Sequence, residues 1–313
     1  MTSPRILVTC KQMQVELPEH EDRLRAAGFE LVVPELVGQQ FSEDELIAAL
    51  PGVVGMIAGD DPLSRRVIES ADSLRVIIRW GIGMDSVDHQ AAKDNNVFVT
   101  NTPAVFGDEV ADSAFGYVLM LARGHHAVDV TVRDGGWPKY EGITLTGQQL
   151  GVVGFGSIGR AICRRGLGFG MDVVAVDPYG DSDVAAAMGV QLVSLDELLA
   201  GSRFVVLASP LTEQTYHLLD ASALSKMRAD AFVVNVGRGP LVDEQALIDA
   251  LTAKQIAGAG LDVFEVEPLP VASPLRSLPG VVLGAHNGSN TRQGVARASS
   301  QAVDRLLAAL DIS

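Results

Sequence analysis

"GVVGFGSIGR", residues 151–160, places three glycines, Gly154, Gly156 and Gly159, at the end of a β-branched run. Glycine makes up 32 of the 313 residues, so this spacing is weak evidence until its surroundings are read. The longer stretch "QLGVVGFGSIGRAICRRGLGFGMDVVAVD" (149–177) supplies them. A strand runs into the glycines, a helical segment follows, and a second strand ends in the acidic Asp177. That order is the one a dinucleotide-binding βαβ unit needs. Gly154 permits the turn, Gly156 lets a pyrophosphate approach the backbone, and Gly159 lets helix and strand pack closely. The helix N-terminus offers unpaired N–H groups and the positive end of its dipole. A carboxylate at Asp177 suits ribose hydroxyls, and the following "PYGDSD" has no arginine for a 2′-phosphate. NAD is therefore expected over NADP. "WGIGMD" (80–85) lacks the third glycine, and "GLGFG" (166–170) reads as a helix end, so neither is a second nucleotide site.

Outward from this motif the chain alternates short apolar runs with amphipathic segments. "RILVT" (5–9), "ELVVP" (30–34), "VVGMI" (53–57), "LRVII" (74–78) and "VFVT" (97–100) read as buried strands. After a long small-residue helix (107–124) and a polar passage, a second series begins. It runs through "MDVVAVD", "RFVVLAS", "AFVVNVG", "AGAGLDV" and "GVVLGAH", and the tail from Thr291 onward is a final amphipathic helix. Such alternation predicts parallel sheets covered by helices on both faces, here as two α/β domains.

Composition narrows the functional classes. Hydrophobic residues make up 47% and charged residues 20%, with a formal net charge of −15, which describes a globular chain that repels phosphate backbones. Nucleic acid is not an expected partner. The two cysteines, Cys10 and Cys163, are too few for a disulfide framework or a cysteine-rich zinc site. "MTSPRILVTC" lacks the basic start and apolar run of a secretory signal, and no apolar run has the ~18 residues of a membrane helix. The expectation is a cytoplasmic protein with no membrane partner. His125 and His126 have no further ligand at metal spacing, and no metal site is expected. Cys163 is expected in the core and Trp137 and Tyr140 at an interdomain or subunit surface. Cys10 and Lys11 are expected to end the first strand, where Lys11 could face the cleft but more often such a residue does not.

Three late strands deliver polar chemistry to their carboxyl ends, where open parallel sheets bind ligands. "AFVVNVGRG" ends in Arg238, "AGAGLDVFEVEP" leads through Asp262 to Glu267, and "GVVLGAH" ends in His286. An arginine can clamp a carboxylate and polarise a carbonyl. A histidine can exchange a hydroxyl proton near neutral pH, and a neighbouring carboxylate favours its charged form. The set suits hydride transfer to or from a carbonyl.

In this order the residues resemble the D-isomer-specific 2-hydroxyacid dehydrogenases over nearly the whole chain. "RWGIGMDSVD", "GVVGFGSIGR", "ASPLTEQTYHLL", "NVGRGPLVDEQAL", "AGAGLDVFEVEP" and "GAHNGSNT" are similar to six motifs of that family. The resemblance implies a Rossmann NAD-binding domain, residues 101–286, inserted into a flavodoxin-like substrate domain, residues 1–100 plus 287–313. It implies that Arg238 orients substrate, that Glu267 raises the basicity of His286, and that His286 is the acid/base. Ser157 and Ile158 would meet the pyrophosphate and Asp177 the ribose, with Ser209, Pro210, Val236, Gly237 and Asp262 around the rest of the cofactor. Arg79, Trp80, Gly81, Ile82 and Gly83 would hold the carboxylate of a small anionic 2-keto or 2-hydroxy acid. A homodimer is also implied.

Departures from the family bear on substrate. The loop after the third strand reads "AGDDPLS", where members acting on 3-phosphoglycerate often carry arginines. Trp80 stands at a usually small position and Asn287 at a usually apolar one, which implies a polar pocket narrowed by an indole. Two other functions share the fold: an NAD(H)-sensing corepressor-like scaffold, and a dehydrogenase with another hydride donor such as formate or phosphite. The intact Arg–Glu–His set favours the 2-hydroxyacid dehydrogenase.

Overall fold

The computed structural model describes residues 3–38 and 40–311. The chain divides into two compact units, Met1–Phe106 with Asn290–Ser313, and Gly107–Ser289. The divisions fall a few residues later than the change of character in the sequence. Arg297 donates two hydrogen bonds to the Val105 carbonyl, at 3.2 and 2.5 Å, and Phe106 packs on Trp80. Those contacts hold residues 105 and 106 in the first unit. The Gly288 N–H, bonded to the Asp262 carboxylate at 2.8 Å, keeps residues 287–289 in the second.

The first unit is a five-stranded parallel sheet ordered β2-β1-β3-β4-β5. Its strands are β1 (Arg5–Val8), β2 (Glu30–Val32), β3 (Val53–Ala58), β4 (Val76–Arg79) and β5 (Phe98–Asn101). The order is that of the flavodoxin-like doubly wound fold, whose crevice lies where β1 and β3 diverge. Asp61 fills that point. It is 2 % exposed and accepts from the Thr9 hydroxyl (2.5 Å), the Phe41 N–H and the Gly59 N–H (both 3.0 Å). β1 ends at Val8, and Lys11 is the exposed first residue of the helix Lys11–Glu16, so the expected placement of Lys11 on the strand is corrected. The strand ends there because Cys10 is already the N-cap of that helix. The C-terminal helix Arg292–Ala309 covers this sheet with Val295, Ala298, Ala302, Val303 and Leu306, and Thr291 caps it by accepting the Gly294 N–H at 3.0 Å. Ile312 and Ser313, the last two residues expected in that helix, lie outside the described residues.

The second unit is a seven-stranded parallel sheet ordered β12-β11-β10-β9-β6-β7-β8. Its strands are β6 (Gln149–Val153), β7 (Asp172–Val176), β8 (Gln191–Leu192), β9 (Phe204–Leu207), β10 (Phe232–Asn235), β11 (Gly258–Leu261) and β12 (Val281–Leu283). Strands β9, β10 and β11 are buried along their whole length, because helices lie on both faces; hence their apolar runs, broken only by Asn235 at the end of β10. The two-residue edge strand β8 is too short to leave a periodic signal. The chain leaves β6 for one edge and returns to β9 for the other, which opens the ligand crevice beyond the ends of those two strands.

The helix Gly107–Arg123 packs on this sheet through Val110, Ala111, Ala114, Phe115, Tyr117, Val118, Leu121 and Ala122. Close approach is permitted from the sheet side, where a Cβ on Gly260 of β11 would stand 2.8 Å from the Tyr117 Cβ. The helix stops at Gly124, whose φ of +59° and position against the Tyr140 ring exclude a side chain. His125 and His126 therefore open a further helix, His125–Arg133, instead of closing the first. Both cysteines are buried, and burial pushes their thiols up to about 12. Among the described residues no helix is long and apolar enough to cross a membrane, and no three His, Cys, Asp or Glu could hold a metal ion.

Candidate active site

The glycine loop follows β6. Gly154 has φ +97°, and a Cβ there would meet the Ala208 carbonyl at 2.8 Å. A Cβ on Gly159 would lie 1.9 Å from the Gly154 carbonyl oxygen, which is the helix–strand approach that the third glycine allows. Gly156 has nothing within 4 Å of its Cβ position; it is exposed, and it precedes the helix Ser157–Gly168 with no side-chain cap. The N-terminus of that helix, at Ser157 and Ile158, thus follows an open position, a fit for a pyrophosphate.

Asp177 follows β7. One carboxylate oxygen accepts the Phe155 N–H at 2.7 Å and the other the Tyr179 N–H at 2.8 Å. These bonds fix the acid beside the glycine loop and charge the rim where a ribose would lie. Beyond β9, the Ser209 hydroxyl is buried without a hydrogen-bond partner, and Pro210 is exposed beside it. An orphaned hydroxyl at the crevice also fits a polar ligand.

Arg238, Glu267 and His286 follow β10, β11 and β12, three neighbours in the sheet. Asn235, 1 % exposed, braces the first loop: its Oδ1 accepts the Gly237 N–H (3.1 Å), and its Nδ2 donates to the Arg238 carbonyl (2.8 Å). Val236 is buried in the same turn, and the Arg238 guanidinium donates to the Gly237 carbonyl at 3.0 Å. Gly239 presses this loop onto the next; a Cβ there would overlap the Phe264 carbonyl at 1.9 Å. Glu267 Oε1 accepts the Phe264 N–H at 2.9 Å, and its Oε2 lies 2.7 Å from His286 Nδ1. The pair is partly exposed, 26 % for the imidazole and 21 % for the carboxylate, so a ligand can reach it.

The carboxyl end of β4 differs from expectation. The Arg79 guanidinium is 5 % exposed, pairs with the Asp60 carboxylate and donates to the Trp80 carbonyl. The Trp80 N–H is taken by the Ala58 carbonyl at 2.8 Å and the Gly81 N–H by the Thr102 hydroxyl at 2.8 Å. The Trp80 indole is 4 % exposed, packs on Phe106 and donates to the Ser299 hydroxyl at 3.0 Å. It belongs to the interior of its own unit, which replaces the expected indole-narrowed pocket. Gly81, with φ +123°, lies so close to Arg79 that a Cβ would meet Nη1 at 2.3 Å. Ile82 and Gly83 are the partly exposed residues of the stretch.

Residues 115–288, more than half the chain, match the D-isomer specific 2-hydroxyacid dehydrogenase NAD binding domain. The chain belongs to the D-isomer specific 2-hydroxyacid dehydrogenase family. Its cofactor is NAD, and the open Gly156 cradle, the Asp177 rim and the orphaned Ser209 hydroxyl fit that group. A glyoxylate reductase of Thermococcus onnurineus is 36% identical over 306 residues, 94% of this chain and 90% of that protein. A hydroxypyruvate reductase of Thermotoga maritima is 35% identical over 283 residues, 89% of this chain and 92% of that one. The crystal structure of the TT0316 protein from Thermus thermophilus superposes with a TM-score of 0.89 at 36% identity, covering 98% of this chain and 97% of that one.

Several dehydrogenase residues escaped the sequence reading. Asn235 was legible in principle, as an amide at the end of a strand that is otherwise apolar. His217 Nε2 lies 2.7 Å from Glu265 Oε1, which also accepts the Glu244 N–H at 3.2 Å, and this fastens the Glu267 loop from outside. No spacing rule joins three such distant residues. Asp262, expected at the cofactor, is 3 % exposed and spends its carboxylate on protein donors: the Tyr117 hydroxyl (2.9 Å), the Asn287 N–H (3.2 Å) and the Gly288 N–H (2.8 Å).

Proposed function

We propose that the protein reduces a small, unphosphorylated 2-keto acid of the glyoxylate or hydroxypyruvate class to its D-2-hydroxy acid, with NADH as reductant. The observation that carries the reading is the Glu267–His286 hydrogen bond at the ends of two strands beside the Arg238 strand. Bound NADH supplies the hydride for the carbonyl carbon. Arg238 holds the substrate carboxylate and polarises the carbonyl with its planar fork of donors. His286 gives the carbonyl oxygen a proton from Nε2, the ring nitrogen opposite the one engaged by Glu267. Glu267 accepts the Nδ1–H, which fixes the tautomer, orients the ring and favours the imidazolium. The N–H groups of Ile82 and Gly83 take the carboxylate-binding role expected of the whole 79–83 loop, since those of Trp80 and Gly81 are bonded within their unit. In this reading the first unit, residues 3–106 and 290–311, recognises substrate and the second holds NAD.

Two features support a small acid. The curated relatives above are named for glyoxylate and hydroxypyruvate. Arg79, the cation expected to anchor an anionic substrate, is already neutralised by Asp60. Adding NADH and a series of 2-keto acids, and following loss of NADH absorbance, tests the proposal. We expect turnover of glyoxylate or hydroxypyruvate, with kcat/KM for 3-phosphohydroxypyruvate at least about tenfold lower, the scale of one missing charged contact, because Arg79 is engaged by Asp60 and cannot also serve a phosphate. NADH binding without reduction of any keto acid would instead favour a nucleotide-sensing scaffold.

The protein further reads as a homodimer. Val130, Val132, Trp137 and Tyr140 are all exposed within eleven residues of one another, and the helix His125–Arg133 buries none of its side chains. An exposed apolar stretch of this kind is a surface that a second copy of the chain would cover. Light scattering at micromolar concentration should give twice the chain mass; a monomeric mass would exclude the assembly.

A further inference from the structure

His286 has φ +51°, a left-handed conformation that side-chain-bearing residues rarely adopt. Such a backbone persists only when its surroundings over-determine it. Here they do. The His286 N–H donates to the Asp262 carbonyl at 2.6 Å, and the next two N–H groups, of Asn287 and Gly288, donate to the Asp262 carboxylate. The loop that carries the imidazole is thus pinned at three successive residues by one aspartate.

What holds the aspartate is Tyr117. Its hydroxyl donates to Asp262 Oδ1 at 2.9 Å from the middle of the helix Gly107–Arg123. The phenol is 7 % exposed, and burial beside the Asp262 carboxylate pushes its pKa up, so it remains a donor at every working pH. Three glycines make room for the contact. A Cβ at Gly284 would lie 2.0 Å from the Tyr117 oxygen and 2.4 Å from Asp262 Oδ1. One at Gly260 would meet the Tyr117 ring at 3.1 Å, and one at Gly288 would meet Asp262 Oδ2 at 3.0 Å. The same helix face also brings the Ser113 hydroxyl to the Gly288 carbonyl at 3.5 Å, but the Tyr117 oxygen, reached through three glycines, is the one seated on the carboxylate.

We infer that Tyr117 is a positioning residue for the acid/base, acting through the Asp262 carboxylate on the backbone of residues 286–288. The inference rests on the proposed role of His286. The phenol supplies one of three donors to a buried carboxylate, and it also sets that carboxylate's rotamer. Without it, Asp262 Oδ1 keeps only the longer bond from the Asn287 N–H (3.2 Å), so the carboxylate and the left-handed loop are held less tightly and the imidazole meets the carbonyl oxygen at reacting distance less often.

Tyr117→Phe keeps the ring and removes only the oxygen. In the full-length protein we expect kcat to fall about tenfold, the scale for losing a hydrogen bond to a charged group. KM for glyoxylate and Kd for NADH should stay within about twofold, because neither carboxylate nor nucleotide binding passes through the phenol. Adding Tyr117→Phe to an Asp262→Asn enzyme should change kcat less than about twofold, since the route is already cut. An unchanged kcat in Tyr117→Phe, a joint collapse of kcat, KM and melting temperature, or additive losses in the double variant would each overturn the inference. His286→Ala, measured alongside, separates this result from failure of the proposed chemistry: if it too retains full turnover, the error lies in the role given to His286.

Discussion

Replacing His286 with Ala is expected to lower kcat for keto-acid reduction by about 10²–10⁴-fold, the usual contribution of a positioned acid/base. NADH binding should survive, because the glycine loop and Asp177 stand on β6 and β7, at a distance in the sheet from β12. The pH dependence carries the sign of the mechanism. Reduction consumes a proton and needs the imidazolium, so kcat should fall as pH rises through the histidine's pKa. Oxidation of the hydroxy acid needs the neutral ring and should rise over the same range. Glu267→Gln keeps an oxygen able to accept the Nδ1–H but removes the charge that favours the imidazolium. Its reduction profile should therefore shift to lower pH while turnover persists. Steady-state kcat against pH for the three proteins measures this. Near-normal turnover of His286→Ala with an unchanged profile would remove the mechanism and leave the fold untouched.

The second large effect is cofactor choice. The enzyme should use NADH with a kcat/KM about 10²-fold or more above that for NADPH. A 2′-phosphate brought to the ribose site meets the Asp177 carboxylate, and like charges placed together cost several kcal/mol. Asp177 cannot swing away cheaply, because its two oxygens hold the Phe155 and Tyr179 N–H groups. Asp177→Ala should narrow the preference from both sides. It removes the repulsion, and it also frees the Phe155 N–H within the glycine loop, so kcat/KM for NADH itself drops. Comparable kcat/KM for the two cofactors in the unaltered enzyme would refute this account.

The nucleotide-binding unit was readable in the chain because local rules govern it. Three glycines, a strand on either side and an acid at the second strand's end are each fixed by backbone geometry within thirty residues. Arg238, Glu267 and His286 were readable for a related reason: a parallel sheet collects the ends of its strands on one rim, whatever the sequence between them. What stayed hidden depends on contacts between distant segments. Nothing near Trp80 reveals that its indole reaches Ser299, or that Asp60 takes up the charge of Arg79. Asp262 stands in a stretch that resembles a cofactor contact, yet its carboxylate goes to Tyr117 and the 287–288 backbone. The short strand β8 and the helix after Gly124 were missed because two residues carry no period, and because a glycine can break one helix and open another.

Gly239 has a consequence for inheritance. Its missing side chain is what lets the Arg238 turn rest against the backbone at Phe264. Every codon for glycine begins with two guanines, and replacing either one inserts a side chain or stops translation. The contact therefore tolerates only third-base changes in the gene. Residues on either side of the turn can change, but a side chain at position 239 would have to displace the Phe264 backbone and with it the approach to Glu267.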